Sequence, residues 1–134
     1  MSVDNELLKK VVKCLVRKLN VKAIILFGSR ARGDWGPWSD YDLLIIADFG
    51  EKYLDRIKTI LEILSDIPLN VEPHPYTLKE TLEMLRRGNP LIVDALEEGK
   101  VLYRTSDLKK LVELYKELKR RGLSRTETSI ILPE

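Results

Sequence analysis

The spacing of hydrophobic residues changes along the chain from helical periodicity to short, uninterrupted apolar runs. In residues 4–19 apolar positions recur every three or four residues, which predicts an amphipathic helix with one side against a core. Residues 23–27 and 43–47 are continuous apolar runs, a pattern typical of strands that are buried on both faces. We therefore predict two neighbouring core strands, over 22–28 and 41–48, with the polar segment between them at one end of a sheet.

The rest of the chain predicts further helices and strands. Residues 51–66 have helical spacing and lead to residues 69–76, where apolar and polar positions alternate as in a strand with one polar face. Thr77 and Glu80 have the spacing of a capping box at the start of the next helix, which ends at Gly88-Asn89-Pro90. The remaining predicted elements are a short helix at 91–98, an edge strand at 100–104 and a C-terminal helix that begins near Leu108.

Length and composition favour one domain. The chain has 134 residues, of which 44% are hydrophobic, enough for a single hydrophobic core. We predict one domain over residues 1–122 and a C-terminal tail at 123–134, which has no clear pattern and is a candidate for flexibility. No apolar run approaches the ~18–20 residues of a membrane span, and the N-terminus does not resemble a signal peptide. We therefore expect a cytoplasmic protein with no membrane partner, and the net charge of +2 predicts no strong nucleic-acid binding.

Two aspartates stand at the start of the second buried run. Because strand side chains alternate between faces, Asp40 and Asp42 are expected to point the same way. Two carboxylates so close together repel each other unless a cation lies between them. Carboxylate oxygens are typical ligands of Mg²⁺, which binds one or two protein carboxylates together with substrate phosphates. The pair therefore predicts a magnesium site, although such a pair taken alone is more often a solvated turn.

A possible phosphate-binding turn follows the first buried run. Gly28 permits a sharp turn and the close approach of a ligand to the backbone. Backbone amides at the start of a following helix, with the Ser29 hydroxyl, would bind phosphate oxygens, and Arg30 and Arg32 would add positive charge. A Gly-Ser pair alone is a weak signal. The ordered combination of buried strand, Gly-Ser, Asp-x-Asp and second buried strand is rare by chance.

This combination resembles the signature of the minimal nucleotidyltransferases, within the DNA polymerase β-like nucleotidyltransferase superfamily. The resemblance rests on Gly-Ser-x-Ala-x-Gly at residues 28–33 and Ser-Asp-x-Asp-Leu at residues 39–43, and the similarity extends from about Val21 to Tyr103. It implies an α/β (α+β) nucleotidyltransferase fold, in which a short mixed β-sheet is flanked by helices. It also implies binding of magnesium and a nucleotide, and transfer of a nucleotidyl group.

In that family a third carboxylate, usually an aspartate, comes from a later strand, and the candidate here is Glu72. The resemblance implies that Asp40, Asp42 and Glu72 hold two Mg²⁺ ions, with Glu72 placed to accept the proton of the attacking hydroxyl. Gly28 and Ser29, with Arg30 and Arg32, would bind the phosphates of ATP so that pyrophosphate leaves. Glutamate places its carboxylate one methylene farther out than the usual aspartate, and an ordinary edge-strand glutamate is the alternative interpretation.

Several residues near these motifs keep open roles. His74, the only histidine, lies on the predicted face of Glu72 and is either a hydrogen-bonding or phosphate-contacting group or a surface imidazole. Trp35 and Trp38 either stack on a base or an acceptor or pack their loop onto the domain. Cys14, the only cysteine, can form no internal disulfide, and its helical spacing favours a buried structural thiol.

The small size of the chain leaves no room for a domain that grips a polymer, so a partner is expected to present the acceptor. The resemblance implies an antitoxin that transfers AMP from ATP to a tyrosine of a HEPN-domain ribonuclease toxin. One alternative is an aminoglycoside-type enzyme with a small hydroxylated acceptor, and another is a non-catalytic antitoxin that neutralises its partner by binding. The apolar stripe of the C-terminal helix and residues 130–132 would pack within the chain or contact a partner or a second copy, so a homo-oligomer stays open.

Overall fold

A computed structural model describes residues 3–126 and 129–133, which form a mixed β-sheet with helices on both of its faces. The helices in this part of the chain are α1 (Val3–Lys18), α2 (Ser29–Arg32), α3 (Tyr53–Ile63), α4 (Leu78–Arg86), α5 (Pro90–Glu98) and α6 (Leu108–Arg120). The strands are β1 (Val21–Phe27), β2 (Tyr41–Ala47), β3 (Val71–Tyr76), β4 (Lys100–Arg104), β5 (Ser124–Arg125) and β6 (Ile130–Ile131). None of the described helices has the length and apolar content that a bilayer crossing requires.

The main sheet has the strand order β3-β2-β1-β4. Strand β1 is antiparallel to both β2 and β4, whereas β2 and β3 run parallel. Phe27 pairs with Asp42 across β1 and β2, and Asp42 pairs with Glu72 across β2 and β3. The end of β1 and the starts of β2 and β3 therefore meet at one end of the sheet. This arrangement confirms the predicted α/β fold with a short mixed sheet.

Two hydrophobic clusters lie on opposite faces of the sheet. Alternating residues of the central strands point into each cluster, as the period of a strand requires, and Leu43, Leu44 and Ile45 of β2 are fully buried. On one face the strands pack against α1 and α3, and on the other against α4, α5 and α6. Cys14 is partly buried against the α1 cluster. Strand β2 is thus held from both sides, which fixes the residues at its start.

Helix α4 begins at the predicted capping box. The Thr77 hydroxyl accepts a hydrogen bond from the Glu80 amide at 3.1 Å, and the Glu80 carboxylate accepts one from the Thr77 amide at 2.8 Å. Glu80 also contacts the buried Arg56 guanidinium of α3 at 2.7 Å. The crossover helix α3 is shorter than the predicted span of 51–66, because its last turn closes at Leu64, whose amide bonds to the Ile60 carbonyl.

The C-terminal residues form a small hairpin. Strands β5 and β6 pair antiparallel, Leu123 is buried, and Arg125 forms ion pairs with Asp94 and Glu97 of α5. The predicted division into a domain over 1–122 and a tail over 123–134 stays a prediction, and residues 127, 128 and 134 of that tail lie outside the described residues.

Candidate active site

Gly28 forms a tight turn between β1 and α2. Its φ of 77° and ψ of −161° lie in a region that is accessible essentially only to glycine. A Cβ atom at this position would lie 2.5 Å from Oδ2 of Asp42, so a larger residue would collide with that carboxylate. The Gly28 carbonyl accepts hydrogen bonds from the amides of Ala31 and Arg32, which closes the turn. The sequence Gly-Ser therefore places the backbone directly against Asp42.

Asp42, Glu72 and His74 form a cluster of possible metal ligands. One ligand atom from each side chain lies within 4.8 Å of the other two. The parallel register places Glu72 beside Asp42, and His74 lies two residues farther along β3 on the same face. His74 Nε2 is 3.2 Å from Asp42 Oδ1, within hydrogen-bonding distance. The Phe27 ring packs 5.1 Å from the His74 ring and forms the apolar side of the cluster.

The surroundings of Glu72 favour its neutral form. A hydrogen bond with Asp42 raises the pKa of Glu72, and burial and the negative charges of Asp42 and Asp40 add to this increase, whereas His74 opposes it. Ionised Glu72 is therefore repelled by its acidic neighbours, and either a proton or a cation would offset this repulsion. A divalent cation would remove this repulsion, and the two carboxylates offer the oxygen ligands that Mg²⁺ prefers. The donor set thus fits a magnesium site.

Asp40 lies at the edge of this arrangement. It occupies the loop one residue before β2, is exposed, and does not belong to the group of three ligand atoms. Its charge nevertheless contributes to the raised pKa of Glu72. Of the three predicted acids, the structure thus brings Asp42 and Glu72 together and leaves Asp40 beside them, and it adds His74, whose role the sequence left open.

Arg30 braces the loop that leads to Asp40. Its Nε donates a hydrogen bond to the Ser39 carbonyl at 3.1 Å. Its guanidinium carbon lies 4.2 Å from the centre of the Trp35 ring and 4.4 Å from that of Tyr41, which is the geometry of a cation–π sandwich. Because Tyr41 and Asp42 are adjacent on β2, this cluster lies on the face opposite the acids.

The Tyr41 hydroxyl extends this cluster to the first helix. It donates a hydrogen bond to Asp4 Oδ2 of α1 at 2.6 Å. Burial, with this hydrogen bond, raises the pKa of Tyr41 to about 12, so the hydroxyl stays protonated and remains a donor at neutral pH. The loop before β2 is therefore anchored to α1 through Arg30 and Tyr41.

Arg32 and Trp38 are more accessible. Arg32 donates to Asp34 at 3.2 Å and to Glu98 of α5 at 3.1 Å, and these acidic partners raise its pKa. The Trp38 side chain is 82% exposed, whereas Trp35 packs against Arg30. Trp35 contacts Arg30 within its own loop but is still 52% exposed, so both interpretations of the two tryptophans stay predictions.

Comparison of the sequence with models of known protein families identifies the family of this chain. Residues 8–122 match the model of the nucleotidyltransferase domain. The chain belongs to the nucleotidyltransferase domain family. This result confirms the resemblance that the motifs indicated, and it confirms that the chain is a nucleotidyltransferase whose substrate is a nucleotide.

Two curated proteins of Methanocaldococcus jannaschii, both named as protein adenylyltransferases, are similar to this nucleotidyltransferase. One is 32% identical over 117 residues, which cover 75% of each chain. The other is 35% identical over 104 residues, which cover 75% of the nucleotidyltransferase and 98% of the relative. These matches extend over most of both chains, well beyond the Gly-Ser and Asp-x-Asp motifs.

A solved structure shares the fold of the nucleotidyltransferase. It contains the tri-AMPylated HEPN toxin of Shewanella oneidensis in complex with its MNT antitoxin, and the matched chain has a TM-score of 0.54. The sequences are 16% identical, and the alignment covers 87% of each chain. At this level of identity the comparison shows the common fold.

Proposed function

We propose that this nucleotidyltransferase transfers AMP from ATP to a tyrosine hydroxyl of a HEPN-domain toxin and thereby acts as its antitoxin. The observation that carries the proposal is the convergence of Asp42, Glu72 and His74 beside the Gly28 turn. Two relatives that match over most of their length are named as protein adenylyltransferases. The antitoxin with the same fold is found in complex with an AMPylated HEPN toxin.

The acids at the end of the sheet would hold two Mg²⁺ ions through Asp40, Asp42 and Glu72. Bound Mg²⁺ neutralises charge on the triphosphate and lowers the pKa of a coordinated hydroxyl. The close contact between Asp42 and Glu72, which raises the pKa of Glu72, supports a cation at this position. His74 would keep Asp42 oriented by donating its Nε2 proton to Oδ1.

The reaction follows from the placement of the side chains. The tyrosine oxygen of the acceptor attacks the α-phosphorus of ATP, the bond between the α-phosphorus and the bridging oxygen breaks, and pyrophosphate leaves. Glu72 is the exposed acid of the cluster and would accept the tyrosine proton, since a general base must reach that hydroxyl. The backbone at Gly28 and the Ser29 hydroxyl would bind the β- and γ-phosphates and hold pyrophosphate as it forms.

The two arginines of the motif would have different roles. Arg32 is exposed and pairs with Asp34 and Glu98 at the surface, where an ion pair contributes at most about 1 kcal/mol and is readily exchanged for a phosphate. Arg30 is held between two aromatic rings and bonded to the loop. We therefore propose that Arg32 contacts the phosphates directly, while Arg30 positions the loop that carries Asp40.

Transfer of radiolabelled AMP tests this function. The chain is incubated with α-labelled ATP, Mg²⁺ and a candidate HEPN protein, which is sought in the reading frames next to its gene. Mass spectrometry then locates AMP on the acceptor. We expect labelling of a tyrosine and a decrease of about a hundredfold or more in Asp42→Asn. Asp66→Asn, which changes an exposed aspartate of the turn after α3, is the matched control and should label normally.

A cellular test separates catalysis from neutralisation by binding. Cells that produce the toxin are given the wild-type chain or the Asp40→Ala, Asp42→Ala double variant at equal dose. Loss of protection in the double variant supports AMP transfer. Full protection by the double variant would mean that neutralisation does not depend on this chemistry.

A further inference from the structure

An open groove runs between α1 and the edge strand β4, on the sheet face opposite the acid cluster. We call it the α1–β4 groove and define it by Leu8, Lys9, Val12, Lys13, Val101 and Leu102, which line a cavity of about 480 Å³. At one end it continues into a cavity of about 310 Å³ beside Arg17 and Tyr103. Its floor is apolar, and Val101 is 47% exposed.

The groove lies where the layer of helices is incomplete. Helices α1 and α3 cover this face over β1, β2 and β3, and β4 is the next strand outward. Among the described residues, no helix lies beyond α1 over β4, so part of the sheet face remains open. Helices pack side by side at about 8–10 Å, which makes one further helix alongside α1 the natural way to close this layer.

The charges around the groove define the chemistry of an occupant. After Glu6, which pairs with Lys9 at 3.6 Å, helix α1 carries only basic charged residues, and those at positions 9, 13 and 17 line the groove and its extension. Strand β4 begins with Lys100 and ends with Arg104. A basic rim around an apolar floor complements a helix with an apolar stripe flanked by Asp and Glu. The apolar floor does not suit a nucleic-acid backbone, which binds through phosphate contacts.

The groove leads toward the loop that precedes the acids. Past Leu8 it opens into a cavity of about 330 Å³ lined by Arg30 and Trp35. Arg30 is bonded to the carbonyl of Ser39, the residue before Asp40. A protein whose helix occupies the groove therefore lies next to the active-site end of the sheet, where it can present a hydroxyl to the acids.

We propose that the α1–β4 groove binds one helix of the protein that accepts AMP, a helix with an apolar stripe flanked by acidic side chains. This inference rests on the proposed function, because it names the docking surface for the same acceptor. Binding at the groove would place the acceptor while leaving the acids free for ATP. The groove residues are therefore docking residues and do not touch the reacting atoms.

Four single variants test the groove. Val101→Glu places a carboxylate on the apolar floor, and Lys13→Glu reverses a charge of the rim. Their matched controls are Leu61→Glu on α3, where Leu61 has the same 47% exposure as Val101, and Lys10→Glu, which reverses an exposed lysine of α1 outside the groove. Thermal unfolding of all four verifies that each variant is folded, and Lys13→Glu keeps the test valid if Val101→Glu is unstable.

Binding of the HEPN protein is measured by calorimetry, and AMP transfer is measured separately. We expect the groove variants to weaken binding about tenfold or more and to raise KM for the HEPN protein without changing kcat, and the controls to stay within about twofold of wild type. Binding in the groove variants equal to that in the controls would overturn the inference even if AMP is transferred. If the wild-type chain binds the HEPN protein but transfers no AMP, the proposed function is wrong, and the comparison of groove variants with controls still decides the inference. If the wild-type chain does not bind the HEPN protein at all, both proposals are wrong.

Two other occupants give distinct results. A single-stranded RNA oligonucleotide is titrated into the chain, and an affinity for RNA that both groove variants lose, with HEPN binding unchanged, would overturn the inference in favour of nucleic acid. The second alternative occupant is another copy of the chain, so light scattering of the chain alone is used to measure whether it forms a dimer. A wild-type dimer that Val101→Glu converts to a monomer, with HEPN binding unchanged, would assign the groove to self-association.

Discussion

Replacement of Gly28 by alanine tests whether the turn after β1 is built around Asp42. The substitution adds one methyl group to a residue whose φ is 77° and ψ is −161°. The new Cβ would lie 2.5 Å from Asp42 Oδ2, whereas real Cβ atoms essentially never approach another heavy atom within 3.0 Å. The turn, the carboxylate or both must therefore move by at least about 0.5 Å, the difference between these two distances.

Both stability and activity should decrease. A residue other than glycine in this backbone region costs about 1–3 kcal/mol, which corresponds to a Tm lowered by about 4 °C per kcal/mol for a domain of this size. A displacement of about 1 Å at a catalytic group can lower the rate by about a hundredfold, so a shift of about half that size should lower it by about tenfold or more. We therefore expect Gly28→Ala to have a Tm lower by about 4–12 °C and to transfer AMP at least about ten times more slowly.

Gly122→Ala is the matched control for this substitution. Gly122 also has a positive φ, 115°, but a Cβ there would meet no heavy atom within 4 Å, and the residue follows α6, outside the acid cluster. Labelling of the acceptor is measured well below both Tm values, so that every variant is folded. Gly122→Ala should lose stability and keep its rate. A wild-type rate in Gly28→Ala would refute the argument that the turn must approach Asp42 this closely.

Four further substitutions separate the roles of other residues. Glu80→Gln keeps an acceptor for the Thr77 amide but removes the charge opposite Arg56, and since the Glu80 side chain is partly exposed this should lower the free energy of unfolding in urea by at most about 1 kcal/mol at pH 7. Arg56 lowers the pKa of Glu80 in the folded protein. The stability that the ionised Glu80 contributes is therefore present above its unfolded pKa near 4.5, and it is lost as the pH falls through the lower pKa of the folded state. The difference from wild type should therefore vanish at low pH, and a difference that persists there would contradict this origin. Arg30→Met should lower kcat about tenfold with little change in KM for ATP, whereas Arg32→Met should raise that KM, and the reverse pattern in steady-state kinetics would exchange their roles. His74→Ala should weaken Mn²⁺ binding in calorimetry about tenfold, and an unchanged affinity would show that the imidazole does not support the metal site.

Much of the fold follows from local patterns in the sequence. The apolar runs at 23–27 and 43–47 predicted β1 and β2, because strands covered on both faces need no polar positions. Thr77 and Glu80 marked the start of α4 through a motif that acts within four residues. The small hairpin of β5 and β6 was not predicted, because its two-residue strands carry no periodicity and are held by contacts with α5.

The site was predictable as far as it depends on alternation within a strand. The family resemblance called for a third acid on a later strand, and the period of two in β3 made Glu72 the candidate; the same period places His74 on its face. The contact between His74 and Asp42, however, depends on the parallel register of β2 and β3, which no local pattern specifies. The sandwich of Arg30 was also not predictable, because it depends on the path of the loop that brings Trp35 onto the guanidinium.

Tyr41 and Asp42 are neighbours in the chain but serve opposite faces of the sheet. Tyr41 anchors α1 and the loop through Asp4 and Arg30, and Asp42 belongs to the acid cluster. The backbone between them enters a strand whose next residues are fully buried, and such a strand resists rotation. The buried body of β2 therefore separates most of the exposed surface of α1 from Asp42, whereas a change at Asp4 would reach Asp40 through Tyr41, Arg30 and the Ser39 carbonyl.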